Sequence, residues 1–363
     1  IANNKEIKAY SLKVRESTIL KSTAFSPDKT IVSYGYDQNN IAPNGYPLKV
    51  WGISQDISFP SLYAAEMQTR KIDVSRAELI LESRIQNLKK DMSLCYYTIQ
   101  NLQAKESLYK SIDSLYSDLL KNSESRYTKG DYSQLDLLNI KARRQQVKLE
   151  LDGTGYSILK QFQKLRTLMN YQEDFSVGNE IEIIVPDDKD PESYPGIRLL
   201  KLQNDYSDAL LRIETNKMFP DFSIYYFTGT NEFENSRYYN GFQVGLAVPI
   251  LFGSQKSRIK SSRISLNAQQ LLTDYEISSL KNKIEGLKKE QKRLSEGIEY
   301  YNTSGKILYN EIIRTALISY QKGDIDLFKF TNSFENAVLI RSNYLDNVLQ
   351  YNINVLEQIY LSN

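Results

Sequence analysis

The sequence predicts a mainly α-helical protein with a smaller β component, in which long coiled-coil helical hairpins are joined to two β-hairpins. Three observations carry this prediction. Glycine and proline are absent from Ser61 to Lys129 and again after Gly323. Apolar residues in those stretches recur at alternating steps of 4 and 3. Around them lie four short segments in which apolar residues alternate with small or polar ones.

The first pair of strands is expected at Ile31 to Tyr36 and Leu48 to Phe59. In the latter, Trp51, Ile53, Ile57 and Phe59 share one face, against Val50, Gly52 and Ser54 on the other. The polar loop Asp37 to Pro47, containing Asn44-Gly45, reads as their turn. Phe59-Pro60-Ser61 then ends the strand and offers a serine N-cap to the next helix. That helix carries Leu81, Ile85, Leu88, Met92, Cys95, Ile99 and Leu102 on one seam, resumed by Leu108, Ile112, Leu115 and Leu119. This is the heptad pattern of coiled-coil packing. A rod of roughly 65 residues is about 100 Å long at the α-helical rise.

The second half follows the same plan. Phe222, Ile224 and Tyr226 share a face after Pro220, and Phe242, Val244, Leu246 and Val248 alternate with Gly241, Gln243, Gly245 and Ala247. The polar loop Gly229 to Arg237 joins the two strands, and Val248 to Ser254 again places a proline, then a serine, at the strand-to-helix corner. Ser254 to Lys322 predicts a second rod, weakened by Gly286, Gly297 and Gly305 at roughly 1 kcal/mol each against Ala. Beyond Gly323, Phe330, Phe334, Ala337, Tyr344, Val348, Tyr351 and Val355 keep the seam, with Arg341 as its polar break.

Two markers establish a duplication. Tyr127-Thr-Lys-Gly130-Asp131 matches Tyr320-Gln-Lys-Gly323-Asp324, and Pro27-Asp28 matches Pro220-Asp221, each pair 193 residues apart. The expected organisation is one repeat over 1–192 and a second over 193–363. The first comprises a short helix, a β-hairpin at about 29–59, a helical hairpin at 61–169 and an irregular segment at 171–192. The second comprises a short helix, a β-hairpin at about 220–252 and a helical hairpin at 254–362.

Composition removes whole classes of function. There is no histidine and Cys95 is the lone cysteine, so the usual Cys/His zinc site, a Ser/His/Asp triad and an internal disulfide are all excluded. No Gly-rich loop leads into Lys-Ser or Lys-Thr, and no cofactor motif is present, so the expectation is a non-enzymatic protein without cofactor. A net charge of +2 without a basic block argues against a nucleic-acid partner. No apolar run reaches the length of a membrane-spanning helix, whereas a β-barrel crossing scores weakly by its nature. The chain opens at Ile1 without Met or an apolar leader, which reads as a mature or trimmed product.

Two hairpins supply four strands, too few to close a barrel, and an open edge is hazardous in water and prohibitive in lipid. Two arrangements satisfy the pattern. In one, several copies close a barrel with lipid outside and water inside; three copies supply twelve strands. In the other, the hairpins cap a soluble helical scaffold. Tyr34, Tyr36, Tyr225, Tyr226, Tyr238, Tyr239 and Trp51 suit an interfacial aromatic girdle in the first case and ordinary β-propensity in the second.

The doubled Tyr-x-Lys-Gly-Asp turns, with Gln134-Leu-Asp-Leu-Leu after the first, resemble the outer-membrane efflux proteins of the TolC family. Phe219-Pro-Asp-Phe-Ser-Ile and Val244-Gly-Leu-Ala-Val-Pro-Ile-Leu-Phe-Gly are similar to that family's strand signatures. Ile53-Ser-Gln-Asp-Ile-Ser-Phe-Pro and Tyr344-Leu-Asp-Asn-Val-Leu-Gln-Tyr-Asn are most similar to its heavy-metal branch, of the CusC and CzcC type. The resemblance spans essentially the whole chain. It implies a homotrimer with a twelve-stranded transmembrane barrel in outer-membrane lipid and an α-helical tunnel in the periplasm. It further implies an exit duct for heavy-metal cations that docks on a periplasmic adaptor, or membrane-fusion protein, and an inner-membrane transporter of the RND type. Ducts for drugs or secreted polypeptides are the rival within the family.

The same resemblance assigns candidate residues. The helical tips fall at Tyr127–Asp136 and Tyr320–Lys329. Asp131, Asp136, Asp324 and Asp326 are candidates for a pore gate, since threefold symmetry turns one lining carboxylate into a cation-favouring ring. An Asp after a turn glycine also suits a helix start for reasons of capping and dipole alone. Lys329 stands where some relatives place an acid, so a lysine ring or a Lys329–Asp136 pair is an alternative gate. Tyr127, Lys129, Gly130, Tyr320, Lys322 and Gly323 form the adaptor-docking set. Trp51, Ile53, Phe242, Val244 and Leu246 are assigned to the lipid-facing wall, and Cys95 to the core.

Overall fold

The structure is a computed structural model and describes residues 3–39, 45–129, 133–186, 193–232 and 234–361. In chain order the elements are α1 (Lys5–Leu20) with a short 3-10 turn (Lys21–Ala24), β1 (Ile31–Asp37), β2 (Leu48–Ile57), α2 (Pro60–Thr128) and α3 (Gln134–Met169). There follow α4 (Pro195–Asn216), β3 (Asp221–Thr230), β4 (Tyr239–Ala247), α5 (Phe252–Tyr300), a π-helical turn (Tyr301–Gly305), α6 (Lys306–Lys322) and α7 (Leu327–Ile359). Helices α3 and α7 begin at Gln134 and Leu327, the same 193 residues apart as the sequence markers.

The chain divides into two compact units, each assembled from both halves of the sequence. One comprises Ala9–Glu82 and Pro195–Ser278 and contains every strand described. Its sheet is antiparallel in the order β1-β2-β3-β4, so the two expected hairpins are fused along β2 and β3. Register fixes the faces: Tyr34 pairs with Trp51, Trp51 with Thr228, Ile53 with Tyr226, and Tyr226 with Phe242. Below the strands, Phe59 stacks on Phe219 at 4.9 Å, and Gln255 donates to the Glu214 backbone carbonyl at 2.6 Å, tying the start of α5 to the end of α4.

The other unit comprises Ile1–Lys8, Ser83–Tyr194 and Ser279–Asn363. The heptad seam of α2 is its spine, with Leu88, Cys95, Ile99, Leu108, Ile112 and Leu119 buried. The seam of α7 meets it: Phe330 and Phe334 join Leu108, Ile112, Tyr116, Ile140 and Ala316 in one apolar cluster. Val348, Tyr351 and Val355 pack with Leu294 and Ile298 in a second. Each fully buried side chain of this kind contributes about 1.5–3 kcal/mol of transfer free energy. Arg341, the polar break, is accommodated by aromatic rings: its guanidinium lies 5.3 Å from the centroids of both Tyr301 and Tyr344 and donates to the Tyr301 hydroxyl at 2.7 Å.

Two local expectations are corrected. The serines offered as caps are not the first residues outside their helices, because α2 starts at Pro60 and α5 at Phe252, which puts Ser61 and Ser254 inside the first turn. In α2 the physical reason is proline, whose preset φ and missing N–H suit the first helical position. The Ser61 hydroxyl is then left buried with no hydrogen-bond partner among the described residues. The second rod also differs from a plain helix. It passes through Gly286 and Gly297 unbroken but is interrupted at Gly305, where the Lys306 amide reaches back to the Tyr301 carbonyl and closes one π turn.

Candidate functional site

The sheet has two chemically distinct faces. One carries Val32, Tyr34, Trp51, Ile53, Ile224, Tyr226, Phe242, Val244 and Leu246, which the register places side by side. Phe242 is 79%, Val244 63% and Leu246 60% exposed, and Trp51 and Ile53 are exposed as well. All five residues assigned by sequence to the lipid-facing wall therefore lie on one uncovered face. Tyr34 and Trp51, 4.7 Å apart between ring centroids, add an aromatic patch to it. The opposite face carries Ser33, Gly35, Gly52, Ser54, Ser223, Gly241, Gln243, Gly245 and Ala247, with Tyr225 and Phe227 stacked on each other at 5.5 Å. Contiguous apolar surface on this scale marks a lipid or protein interface rather than a water-facing wall. Among the described residues β1 and β4 pair on one side only, leaving two open edges.

The candidate tip residues fall at the ends of α2, α3, α6 and α7. Gly130 and Asp131 lie outside the described residues. At the second tip, Gly323 adopts φ 82°, a left-handed conformation that glycine enters without penalty. Its amide donates to the Tyr320 carbonyl at 3.1 Å and that of Asp324 to the Ser319 carbonyl at 2.9 Å, a Schellman closure of α6. Asp326 caps α7, its carboxylate accepting from the Lys329 amide at 2.7 Å. At the first tip Asp136 occupies the third position of α3 in a capping box: its amide donates to the Ser133 hydroxyl at 3.1 Å, and its carboxylate accepts from the Ser133 amide at 3.3 Å.

Asp136 and Asp326 thus hold helix starts, the role that capping and dipole alone predict, whereas Asp324 contributes its amide to the closure of α6. Among the described residues no group of three or more acidic or thiol side chains is placed to hold a metal. Tyr127, Lys129, Lys322, Asp324 and Lys329 are exposed. Tyr320 is half-buried because its ring packs against Phe330 at 4.9 Å. Beneath the turns, Arg143 pairs with Glu335 at 3.1 Å, Arg144 with Asp113 at 3.3 Å and Lys141 with Glu124 at 3.3 Å, bracing α2, α3 and α7. Between them Tyr116 is 2% exposed, and burial pushes its hydroxyl up to about 12. Cys95 sits in the core as expected, and burial raises its thiol too.

Sequence reasoning missed how the irregular segment after α3 is held. Asn352 on α7 accepts from the Ile184 amide at 2.9 Å and donates to the Glu182 carbonyl at 2.7 Å. The Glu182 side chain accepts from Tyr96 at 3.0 Å and Gln100 at 3.2 Å on α2. The seam pattern carried no signal for it, because Asn352 lies one residue beyond the seam position Tyr351.

Together these features define a fold: long helical hairpins joined to a four-stranded antiparallel sheet. Neither a protein-family model nor a curated protein matches the sequence. Solved structures do match over nearly its full length. CusC, a protein that forms a transmembrane channel, is 14% identical with a TM-score of 0.83, the match covering 99% of this chain and 89% of that one. VceC, an outer-membrane protein of Vibrio cholerae, is 12% identical with a TM-score of 0.81, covering 99% and 93%. The CmeC outer-membrane channel of Campylobacter jejuni is 12% identical with a TM-score of 0.79, covering 99% and 82%. At these identities the likeness establishes the shared fold. Among the described residues no helix is long and apolar enough to cross a membrane.

Proposed function

We propose that the chain is a passive exit duct of the bacterial outer membrane, with its helices in the periplasm, serving a tripartite efflux system. The observation that carries this reading is the sheet with one exposed apolar face, one small-residue face and two open edges. Edge pairing between copies satisfies the free backbone groups and puts the apolar face in lipid. Three copies then supply the twelve strands of a closed barrel. A soluble scaffold needs Phe242, Val244 and Leu246 covered by helices, and their exposure counts against it.

The finer parts of the proposal rest on the family resemblance of the sequence. Each repeat, 1–192 and 193–363, contributes one hairpin of strands and one of helices. The transported solutes are heavy-metal cations, drawn through without a binding site, and energy comes from an inner-membrane transporter of the RND type. The turns bearing Tyr127, Lys129, Gly130, Tyr320, Lys322 and Gly323 receive a periplasmic adaptor. Asp131, Asp136, Asp324, Asp326 and Lys329 set the charge of the tip. The deciding experiment combines the mass of the detergent-solubilised protein with conductance in a planar bilayer. A trimer forming cation-preferring pores supports the duct; a water-soluble monomer or dimer without conductance overturns it.

A further inference from the structure

We infer that Gly52 and Gly241 set the clear width of the conducting lumen by holding the rings of Tyr225 and Phe227 flat against the strand wall. This rests on the duct reading above, in which the small-residue face lines the lumen. The register puts Ser33, Gly52, Phe227 and Gly241 in one transverse row of that face, and Ile31, Ser54, Tyr225 and Gln243 in the next. Phe227 therefore stands between two glycines, and it leans onto one of them. A Cβ at Gly241 would lie 2.9 Å from Phe227 Cε1 and closer still to Cζ. A Cβ at Gly52 would lie 2.6 Å from Tyr225 Cε2 and closer still to its hydroxyl. The same device recurs one row further, where the Ser223 hydroxyl occupies the space over Gly245.

Neither Gly52 nor Gly241 has positive φ, so the backbone does not require glycine at either position; the requirement is space for a ring. The atoms nearest each added methyl are the far ends of aromatic side chains, which have an open direction to move into, away from the sheet; at Gly52 the Ser33 hydroxyl, 2.8 Å from the added Cβ, must turn aside as well. A methyl group at either glycine therefore tilts a ring off the wall. In a closed barrel each such ring is repeated in every copy, and the displaced rings converge on the axis. Pore diameter is a principal determinant of what a channel passes. The two glycines are width-setting residues that touch the permeation path only through the rings they accommodate.

The test uses the full chain in the outer membrane of intact cells, with Ala247→Cys as reporter. Ala247 pairs with Asp221 at the helix-proximal end of the same face, beyond both aromatic rows for a reagent entering from the loop end. The native thiol, Cys95, is 1% exposed, and labelling of the parent chain gives the background. Rates are measured for a small charged thiol reagent and for one carrying a bulky polymer. Adding Gly52→Ala and Gly241→Ala is expected to slow the bulky reagent by roughly tenfold and the small one by less than about twofold. Removing the rings as well, with Tyr225→Ala and Phe227→Ala, is expected to restore the bulky rate. An unchanged bulky rate in the glycine variants overturns the inference. If those variants do not reach the membrane, the ring-free variants on native glycines decide: a bulky rate within about twofold of the parent supports rings that already lie flat, and a tenfold gain means they already obstruct the lumen. Equal labelling of Val244→Cys and Ala247→Cys by the charged reagent instead overturns the duct reading, because both faces then meet water.

Discussion

The side chain of Asn352 pairs with the backbone at Glu182 as a neighbouring strand would, donating to its carbonyl at 2.7 Å while accepting from the amide of Ile184 at 2.9 Å. Asn352 is 2% exposed, so water cannot replace it. Substituting Asn352→Leu keeps the branched heavy-atom skeleton but strands one donor and one acceptor, at a cost of about 3 kcal/mol. The expected outcome is a lower denaturant midpoint together with faster amide hydrogen exchange at residues 181–185, and unchanged exchange in that segment would show that the amide is not what holds it.

Arg341 is expected to act through Tyr301. The guanidinium both donates to the Tyr301 hydroxyl and packs over the stacked Tyr301–Tyr344 pair, whose centroids are 4.0 Å apart. A double-mutant cycle with Arg341→Ala and Tyr301→Phe should return a coupling of about 1 kcal/mol. Arg341→Lys should recover less than half of the loss, because an ammonium lacks the planar face that stacks on the rings. A coupling indistinguishable from zero would assign the effect of Arg341 to packing alone.

Tyr116 makes stability depend on alkaline pH. Its hydroxyl is raised from 10.0 to about 12 in the folded chain, by burial first and Glu335 second. Below pH 10 both states hold the proton and the contribution is complete. Between 10 and 12 the unfolded chain releases it and the folded chain does not, so stability falls as pH rises. The loss attributable to this residue is about 2–3 kcal/mol. Tyr116→Phe should remove it, so the midpoint of the parent should drop further than that of the variant between pH 9 and 12.

On the sheet, Val244→Arg places a charge on the face that also carries Ile224 and Phe242. In lipid this costs about 2–4 kcal/mol for each copy near the bilayer midplane. The expected result is loss of membrane insertion with the helical circular-dichroism signal nearly intact. Normal insertion of this variant would falsify the assigned orientation of the strands.

Charge and capping at Asp136 are separable. Ser133→Ala removes the hydroxyl that accepts from the Asp136 amide and should cost about 1 kcal/mol of stability without altering ion preference. Asp136→Asn retains hydrogen-bonding capacity and removes the charge, so a lining carboxylate predicts a lower cation preference in single-channel recordings. A reversal potential that stays put under Asp136→Asn would leave Asp136 with its capping role only.

What was legible in the sequence was whatever repeats at short range. The α2 seam from Leu88 to Leu119, the alternation from Gly241 to Ala247 and the turn at Gly323 each encode their structure within a few residues, and all three appear as expected. The fusion of the two hairpins was not legible, since pairing Trp51 with Thr228 joins residues far apart in sequence, with no local mark on either. The same holds for Asn352 and Glu182. The cap at Ser61 misled because a proline beside a serine carries two start signals, and the φ constraint of Pro60 prevails. Gly305 was visible as a weakness, but a single glycine does not distinguish a π turn from a plain break.

The π turn at Tyr301–Gly305 has a consequence for insertions and deletions. A π turn holds one residue more than the α-helical turn it replaces, while the helix on either side keeps its facing. That segment is therefore a slack link: one residue can be removed from it, leaving regular helix, with Ile298 and Ala316 still directed at their own partners on α7. The same deletion within α6 has no such reserve. It would rotate everything beyond it by about 100° and draw it back by about 1.5 Å, turning Ala316 away from Phe330. Tolerance of shortening by one residue should accordingly be confined to those five positions.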